Sequence, residues 1–519
     1  MTLVTTSRRG FLGTAGAFAG LAGFGFSTRA ALAQTTTLRA AITGYGVLNT
    51  LDPAKAALIP EFYLIWGIYN ALLKLDDRMQ IVPDLAESYE ARPDGSLAFK
   101  LRAGVLFHDG SPLTADDVKF SLERLLDKEV ASPNASKVAS IDRIEVVDDL
   151  NLVIHTRFPF APLLTFLTNA RTGTQIVPRK AMTEMGEEAF ARAPIGTGPY
   201  RLAKWDTGGS VTLEAFDDHF AGVPSIRTVE VPLIVEEASG VTALLGGQID
   251  MTTTLPTADV PQLMSNTAVK VLRQPGLNVR FMSLNLQKPP FDDVHFRRAV
   301  SMAFQREAMV QTILFGEGVP QHGFFPPLLT DVFNETARPV TSFNPAAAKA
   351  ELAKSRYKAD EVEVEVLTWG GGWWKRFAEI FVAQVNQVLG TRFTVLVTDS
   401  NAAFSRQKSG DFTCGVWGWL GMLDPDEYMG DIIHSAGWRN HGKYAHPEVD
   451  ALLEKARSEL DPTARAQLYR QAEDLAIEDV PIIPCFCSNI HNLLRAPVEG
   501  FVQKPYSNFA DQFAHMKIV

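Results

Sequence analysis

Three cysteines in 519 residues cannot form a disulfide framework, and their odd number leaves at least one thiol single. Cys485 and Cys487 sit two apart in an apolar, strand-like run and so share a face. Neighbours at that spacing rarely meet disulfide geometry, and buried thiols are the expected state. After Gln34 no stretch approaches 18 apolar residues, so no membrane span is expected there. Positive charge is in deficit, 49 Lys and Arg against 59 Asp and Glu, for a net charge of −10. That balance argues against nucleic acid and anionic membrane as partners. Catalytic signatures are missing as well: there is no Gly-x-Ser-x-Gly, no His-Glu-x-x-His and no paired-cysteine motif. These absences favour binding over catalysis.

What is present begins with an export signal. Ser7-Arg8-Arg9-Gly10-Phe11-Leu12 is a twin-arginine pattern, followed by a Gly- and Ala-rich apolar run to about Phe26 and by Ala31-Leu32-Ala33 before Gln34. Residues 1–33 are expected to be a cleaved twin-arginine signal peptide, which points to a periplasmic protein. Cleavage would remove three arginines and take the net charge from −10 to −13.

The longest informative stretch runs from Phe281 to Gly318. Phe281 to Leu286 alternates as a strand, Pro289-Pro290 breaks it, and Asp292 or Asp293 can cap a helix. Phe296, Ala299, Val300, Ala303 and Phe304 would line one face of that helix. Upstream, Asp94-Gly95 and Asp148 to Asn151 read as hairpin turns. Thr114 to Asp117 reads as a capping box ahead of a helix bearing Val118, Leu122, Leu125 and Leu126. Caps and turns account for His108, Asp116 and Asp117 without any metal or acid–base role.

Several of these segments together resemble a known family. The Asn-bearing strand, PPFDD and RRAVSMAF of 285–304, the LAESYE and LRAGVLFHDGSPLTADDVKFSLER runs of 85–124, and GTGPY at 196–200 are its pattern. The Leu51-Asp52-Pro53 loop, ALLGGQIDM of 243–251 and AHPEVD of 445–450 extend it over nearly all of the chain after the signal. The chain thus resembles the dipeptide-, oligopeptide- and nickel-binding class of ABC-importer solute-binding proteins. The resemblance implies an α/β, two-lobed periplasmic-binding-protein fold of type II with an extra small α/β domain. The implied division is lobe 1 at 34–80, a small inserted domain at 81–192, lobe 1 again at 193–272, lobe 2 at 273–482 and a return to lobe 1 at 483–519. It further implies that a small organic solute or peptide is enclosed between the lobes and handed to membrane permease subunits. No catalysis, cofactor, metal or direct membrane insertion is implied.

Candidate ligand residues come from strand ends, because ligands of open α/β sheets bind beyond them. Trp369, Trp373 and Trp374 close one expected strand, and Trp417 and Trp419 share a face of another. Tyr45 follows the first strand, and Asp424 follows Trp419. In dipeptide-binding members an Asp shortly after the Gly-Trp of that strand holds the ligand's amino group; here the matching place holds Met422, and Asp424 comes two residues later. The basic residue that such members use for the carboxylate is replaced by Trp369 or its Gly-rich neighbours. A longer peptide, or an amphipathic solute such as an opine or glycoside, is therefore expected rather than a free dipeptide. The rival is a nickel or metallophore binder using His434, His441 and His446 with Asp431, although their spacing fits no zinc pattern. Gly437 to Lys443 mimics a phosphate loop, but Tyr444 stands where a magnesium-holding Ser or Thr is needed.

Overall fold

The computed structural model describes residues 37–519 except 93, 171–172, 207–208 and 371–372. The expected signal peptide lies outside the described residues. Twelve strands among the described residues form one sheet. In chain order they are β1 (Thr37–Thr43), β2 (Tyr200–Asp206), β3 (Ser210–Ala215), β4 (Thr228–Ile234), β5 (Met251–Thr252), β6 (Val269–Pro275) and β7 (Asn278–Leu284). They continue with β8 (Gly318–Pro320), β9 (Glu363–Trp369), β10 (Arg392–Thr398), β11 (Cys414–Leu420) and β12 (Ile482–Arg495). Their spatial order is β10-β9-β11-β7-β12-β5-β1-β4-β3-β2, with β6 and β8 also pairing to β12.

Two separate cores divide this sheet into lobes. Leu38, Ile42, Val211 and Val229 pack with helix α1 (Ile59–Ile68) in the first. Met282, Val366, Val416 and Phe377 belong to the second. The lobes are joined through β12, whose Ile482–Phe486 half pairs with β7 while Asn489–Arg495 pairs with β6. The return crossing is thus one continuous strand shared by both lobes. The outward crossing is β6 to β7, turning at Gly276, where a Cβ would collide with the Asn278 amide. Asn278 fastens the two crossings together. Its Nδ2 donates to the Ser488 carbonyl (2.8 Å), and its Oδ1 accepts from the Ser488 N–H and hydroxyl (both 2.9 Å).

A four-stranded antiparallel sheet, in spatial order 86–91, 97–101, 151–156 and 141–148, has its own core of Leu97, Phe99, Leu122 and Ile144. Helix α2 (Ala115–Leu126) packs on it, capped as the sequence suggests: Asp117 accepts from the Thr114 N–H (2.9 Å) and hydroxyl (2.7 Å). The Asp52 of the Leu-Asp-Pro loop is fully buried and pairs with Arg124 of α2 through two bonds of 2.8 and 2.5 Å. This bidentate contact fixes the small domain on the first lobe. His108 does similar work, accepting from the Gly196 N–H (3.2 Å) and meeting the Gly198 carbonyl (3.0 Å). Burial lowers its pKa to about 4, so it stays neutral.

In the second lobe Asp293 rather than Asp292 caps helix α3 (Val294–Met302), accepting from the His295 and Phe296 N–H groups. Asp292 instead receives the Tyr357 hydroxyl (2.8 Å). Helices α4 (Trp374–Leu389), α5 (Ser400–Ser409), α6 (Asp426–Ile432), α7 (Pro447–Ser458) and α8 (Pro462–Asp479) also belong to this lobe, with the helices Arg306–Leu314 and Pro345–Leu352. Among the described residues no helix is long and apolar enough to cross a membrane.

Candidate ligand-binding site

The second-lobe strands reach a common edge beside the crossings. β9 finishes at Trp369, β11 runs through Trp417 and Trp419 to Leu420, and β7 starts at Asn278. Register sets Trp417 opposite Phe281, Gly418 opposite Arg280 and Trp419 opposite Val279. Alternation therefore puts both tryptophans of β11 on one face and Arg280 on the other. Just beyond the strand, Leu420 and Met422 join the first-lobe core, so this edge is where the lobes meet.

The expected aromatic residues form two groups here. Trp369 touches Trp374 (centroids 4.3 Å) and Trp417 (5.5 Å), and Trp373 stacks on Trp374 at 4.2 Å. Trp419 belongs to a second group, edge-on to Trp438 at 5.9 Å. Trp417 and Trp419 are buried, each 8 % exposed, whereas Trp369 and Trp373 are half-buried. The Trp417 indole N–H is buried and meets no acceptor among the described residues.

Two arginines at this edge escaped the sequence reading. The Arg280 guanidinium lies 5.5 and 5.3 Å from the Trp373 and Trp374 rings. The Arg439 guanidinium lies against the edge-on pair of Trp419 and Trp438, 3.8 and 4.1 Å from their centroids. Arg280 Nη1 also donates to the Val279 carbonyl (3.2 Å) and the Trp419 carbonyl (3.5 Å), and a guanidinium carries five N–H donors in all, the group best suited to carboxylate or phosphate. Gly418 makes room for this: a Cβ there would come within 2.7 Å of Arg280 Cδ. A lone charge in the otherwise uncharged strand of residues 278–284 was the available signal for Arg280. Arg439 sits in a loop with no periodicity and gave none.

Asp424 is buried and bidentately paired, its Oδ2 and Oδ1 accepting from Arg465 Nη1 (2.9 Å) and Nη2 (2.7 Å). Its Oδ1 also receives the Asp426 N–H (2.9 Å) at the start of α6. Tyr45 follows the positive-φ Gly44 and packs partly buried against the first-lobe core. The three histidines are used locally. His434 Nδ1 accepts from the Ala436 N–H (3.0 Å), and His446 Nδ1 caps α7 through the Val449 N–H (3.3 Å). His441 is buried beside Trp417, and burial lowers its pKa to about 4. Among the described residues no three His, Cys, Asp or Glu side chains gather as a metal site. Burial likewise raises the thiol pKa values, that of Cys485 to about 12, and leaves all three cysteines unreactive.

Residues 80–440 match the profile of the family described as "Bacterial extracellular solute-binding proteins, family 5 Middle". The chain belongs to this family. It is 27 % identical over 494 residues to the probable ABC transporter periplasmic-binding protein SapA of Escherichia coli (strain K12), covering 89 % of each chain. It superposes with a TM-score of 0.84 on AgaA of A. tumefaciens R10, solved with agropinic acid, at 26 % identity, covering 93 % of this chain and 99 % of that one. The fold is shared at the same TM-score with the periplasmic binding protein DppA of Helicobacter pylori, solved with the peptide STSA, at 23 % identity over 93 % of this chain and 98 % of that one. The two-lobed type II fold expected from the sequence is therefore present. As a solute-binding family member the chain is the substrate-binding component of an ABC importer, of a family that binds rather than transforms its solutes.

Proposed function

We propose that the mature chain is an exported periplasmic receptor for an acidic, amphipathic solute or peptide, which it encloses at the tryptophan edge without chemical change. The observation that carries this reading is the pair of guanidiniums, Arg280 and Arg439, each lying close to two indoles at the strand ends. Trp369, Trp373, Trp417 and Trp419 offer flat apolar area for the body of the ligand, and Tyr45 is the candidate contact on the first lobe. The arginines take its carboxylate or phosphate. Asp424 supports the edge through Arg465 rather than pairing with a ligand ammonium, and buried Met422 offers no charge for one. A solute with an acid group and no obligatory free amine fits this arrangement. The AgaA relative, solved with agropinic acid, is an instance of such a solute in this family. The twin-arginine signal at residues 7–12 supports periplasmic placement.

Native mass spectrometry of the protein purified from its own host, followed by denaturation, tests the reading by identifying what is released. Thermal-shift and calorimetric titration with matched pairs of free acid and carboxamide then tests the charge. The acids should bind at least about tenfold more tightly than their amides, and Trp419→Ala should abolish the shift. Equal binding of acid and amide would refute the anionic assignment.

A further inference from the structure

One carboxylate of the second lobe grips both crossings. Glu317 follows the helix Arg306–Leu314, whose Met309, Val310 and Ile313 sit in the second-lobe core, and precedes β8, which pairs with β12 at Ser488. Its backbone carbonyl accepts from the Asn489 N–H (3.0 Å). Its buried side chain reaches further, onto the halves of the crossings that belong to the first lobe. Oε2 accepts from Asn489 Nδ2 (2.9 Å) and His491 Nε2 (3.0 Å) on β12, and Oε1 accepts from Arg273 Nη1 (2.5 Å) on β6. Arg273 and His491 are register partners, so the carboxylate spans the two strands at one level. Burial alone would raise the Glu317 pKa, but the bonds from Asn489 and His491 and the Arg273 charge outweigh it and the pKa is lowered. Burial also lowers the His491 pKa, so that imidazole is neutral and donates. Beyond this level Gln503 ties the first-lobe halves together: its carbonyl accepts from Gln274 Nε2 (2.8 Å), and its Nε2 donates to the Ile490 carbonyl (3.1 Å). Bending between the lobes is thereby left to the stretches around Gly276 and Ser488.

We propose that Glu317 is a hinge brace, a second-lobe side chain that holds the crossings in the closed arrangement and releases them when the cleft opens. The lobes of this structure touch across the cleft, where the Ala161 N–H beside the small domain donates to the Arg457 carbonyl at the end of α7 (2.9 Å). His491 lies three residues beyond Ser488, about 10 Å along the strand, so a bend of about 20° at Ser488 moves it about 3 Å relative to the second lobe. Hydrogen bonds do not survive that displacement. The network is therefore made in one arrangement of the lobes and broken in the other, where water takes the carboxylate. Charge-assisted bonds outweigh that hydration, so the brace favours closure. It acts at the hinge and is independent of which solute occupies the tryptophan edge.

Electron–electron distance measurements between spin labels on the mature, ligand-free protein test this without a ligand, so the outcome is separate from that of the acid–amide titrations. Phe158 and Leu460 are exposed and flank the Ala161–Arg457 contact from opposite sides of the cleft. The native cysteines are buried, so Phe158→Cys with Leu460→Cys takes the labels selectively. This labelled parent should show a short distance for the closed form beside a longer one for the open form. Glu317→Gln keeps the side chain's shape but turns an NH₂ group toward donors, and should lower the ratio of short to long about tenfold. Arg273→Met removes one bond from an exposed residue and should lower the ratio about threefold. That variant leaves both cores untouched, so it decides the matter if Glu317→Gln does not fold. The brace is overturned if the parent shows only the long distance, or if Glu317→Gln and Arg273→Met keep the parent's distribution.

Discussion

Replacing Asp424 with Asn isolates the contact that holds the tryptophan edge against the helices of the second lobe. Asp424 is 4 % exposed, and both of its oxygens accept from one guanidinium. Burial alone would lower the Arg465 pKa, yet the adjacent carboxylate outweighs it and the pKa is raised, so the arginine is firmly charged. Asparagine preserves the shape and can still accept from the Asp426 N–H. It also presents an NH₂ group, and no negative charge, to a side chain that has only donors. Breaking a buried ion pair from one side costs about 3–5 kcal/mol, and the retained cap puts this variant near 3 kcal/mol. At about 2.1 cal/mol/K of unfolding entropy per residue, a chain of this length has about 1 kcal/mol/K, so the melting midpoint should fall by about 3 °C. Calorimetry and urea unfolding of the parent, Asp424→Asn, Arg465→Met and the double variant would measure the coupling, with the double variant less destabilised than the sum of the singles. If Asp424→Asn melted with the parent but lost its ligand, the carboxylate would serve the ligand and the reasoning would fail.

Asp431, beside Asp426 and Glu427, is raised from 3.8 to about 7, chiefly by burial. A folded pKa above the unfolded one means its contribution is intact below about pH 4 and lost as pH rises through 7. Asp431→Asn should therefore match the parent near pH 4 and exceed its stability above pH 7, on the order of 3 kcal/mol by urea titration; a pH-independent difference would contradict the assignment. Asn278→Ala removes three hydrogen bonds between the crossings and should cost about 2–3 kcal/mol, with faster amide exchange at Ser488; unchanged exchange there would mean the crossings are held elsewhere. Gly418→Ala would push Arg280 from its place and should weaken an acidic ligand about tenfold; calorimetric affinity equal to the parent's would remove Arg280 from the site.

The parts of the fold that could be read from sequence are those set by near neighbours. The Thr114–Asp117 cap, the cap at Asp293, the hairpins and the alternation of Trp417 and Trp419 each depend on residues within a few positions, where spacing leaves a visible trace. Charge pairs between distant residues leave none. Asp424 meets Arg465 41 positions away, Asp52 meets Arg124 72 away, and nothing around Lys137 announces Glu427. The same limit explains why the sequence suggested a site without cations. Arg439 reaches Trp419 only because a loop returns it there, and Arg280 fits only because Gly418 opposes it in register. Met422, where the resemblance would place the amino-binding Asp of dipeptide receptors, is a local departure that the sequence displays by itself. Asp424, two residues later, looked available only because its partner lies on a helix the strand pattern does not touch.

The proposed acidic ligand must also reach a mature chain whose net charge is −13, from −10 for the full sequence less three arginines. The two facts are reconciled by range. Over distances beyond a Debye length, about 10 Å at 0.1 M salt, the excess of carboxylates repels an anion; within it, the stacked guanidiniums decide. Association should therefore quicken modestly as salt rises from about 10 to 150 mM, because the distant repulsion is screened first. Dissociation should change little, because at contact distance the bound acid group interacts with guanidiniums that are themselves held against indole rings, Arg439 lying 3.8 and 4.1 Å from two centroids. Stopped-flow tryptophan fluorescence separates the two rates, since Trp369, Trp417 and Trp419 would report the bound state directly. Association that slowed with salt would show instead that the edge projects its positive charge outward and steers the ligand in, placing the arginines at the mouth of the cleft rather than at its floor.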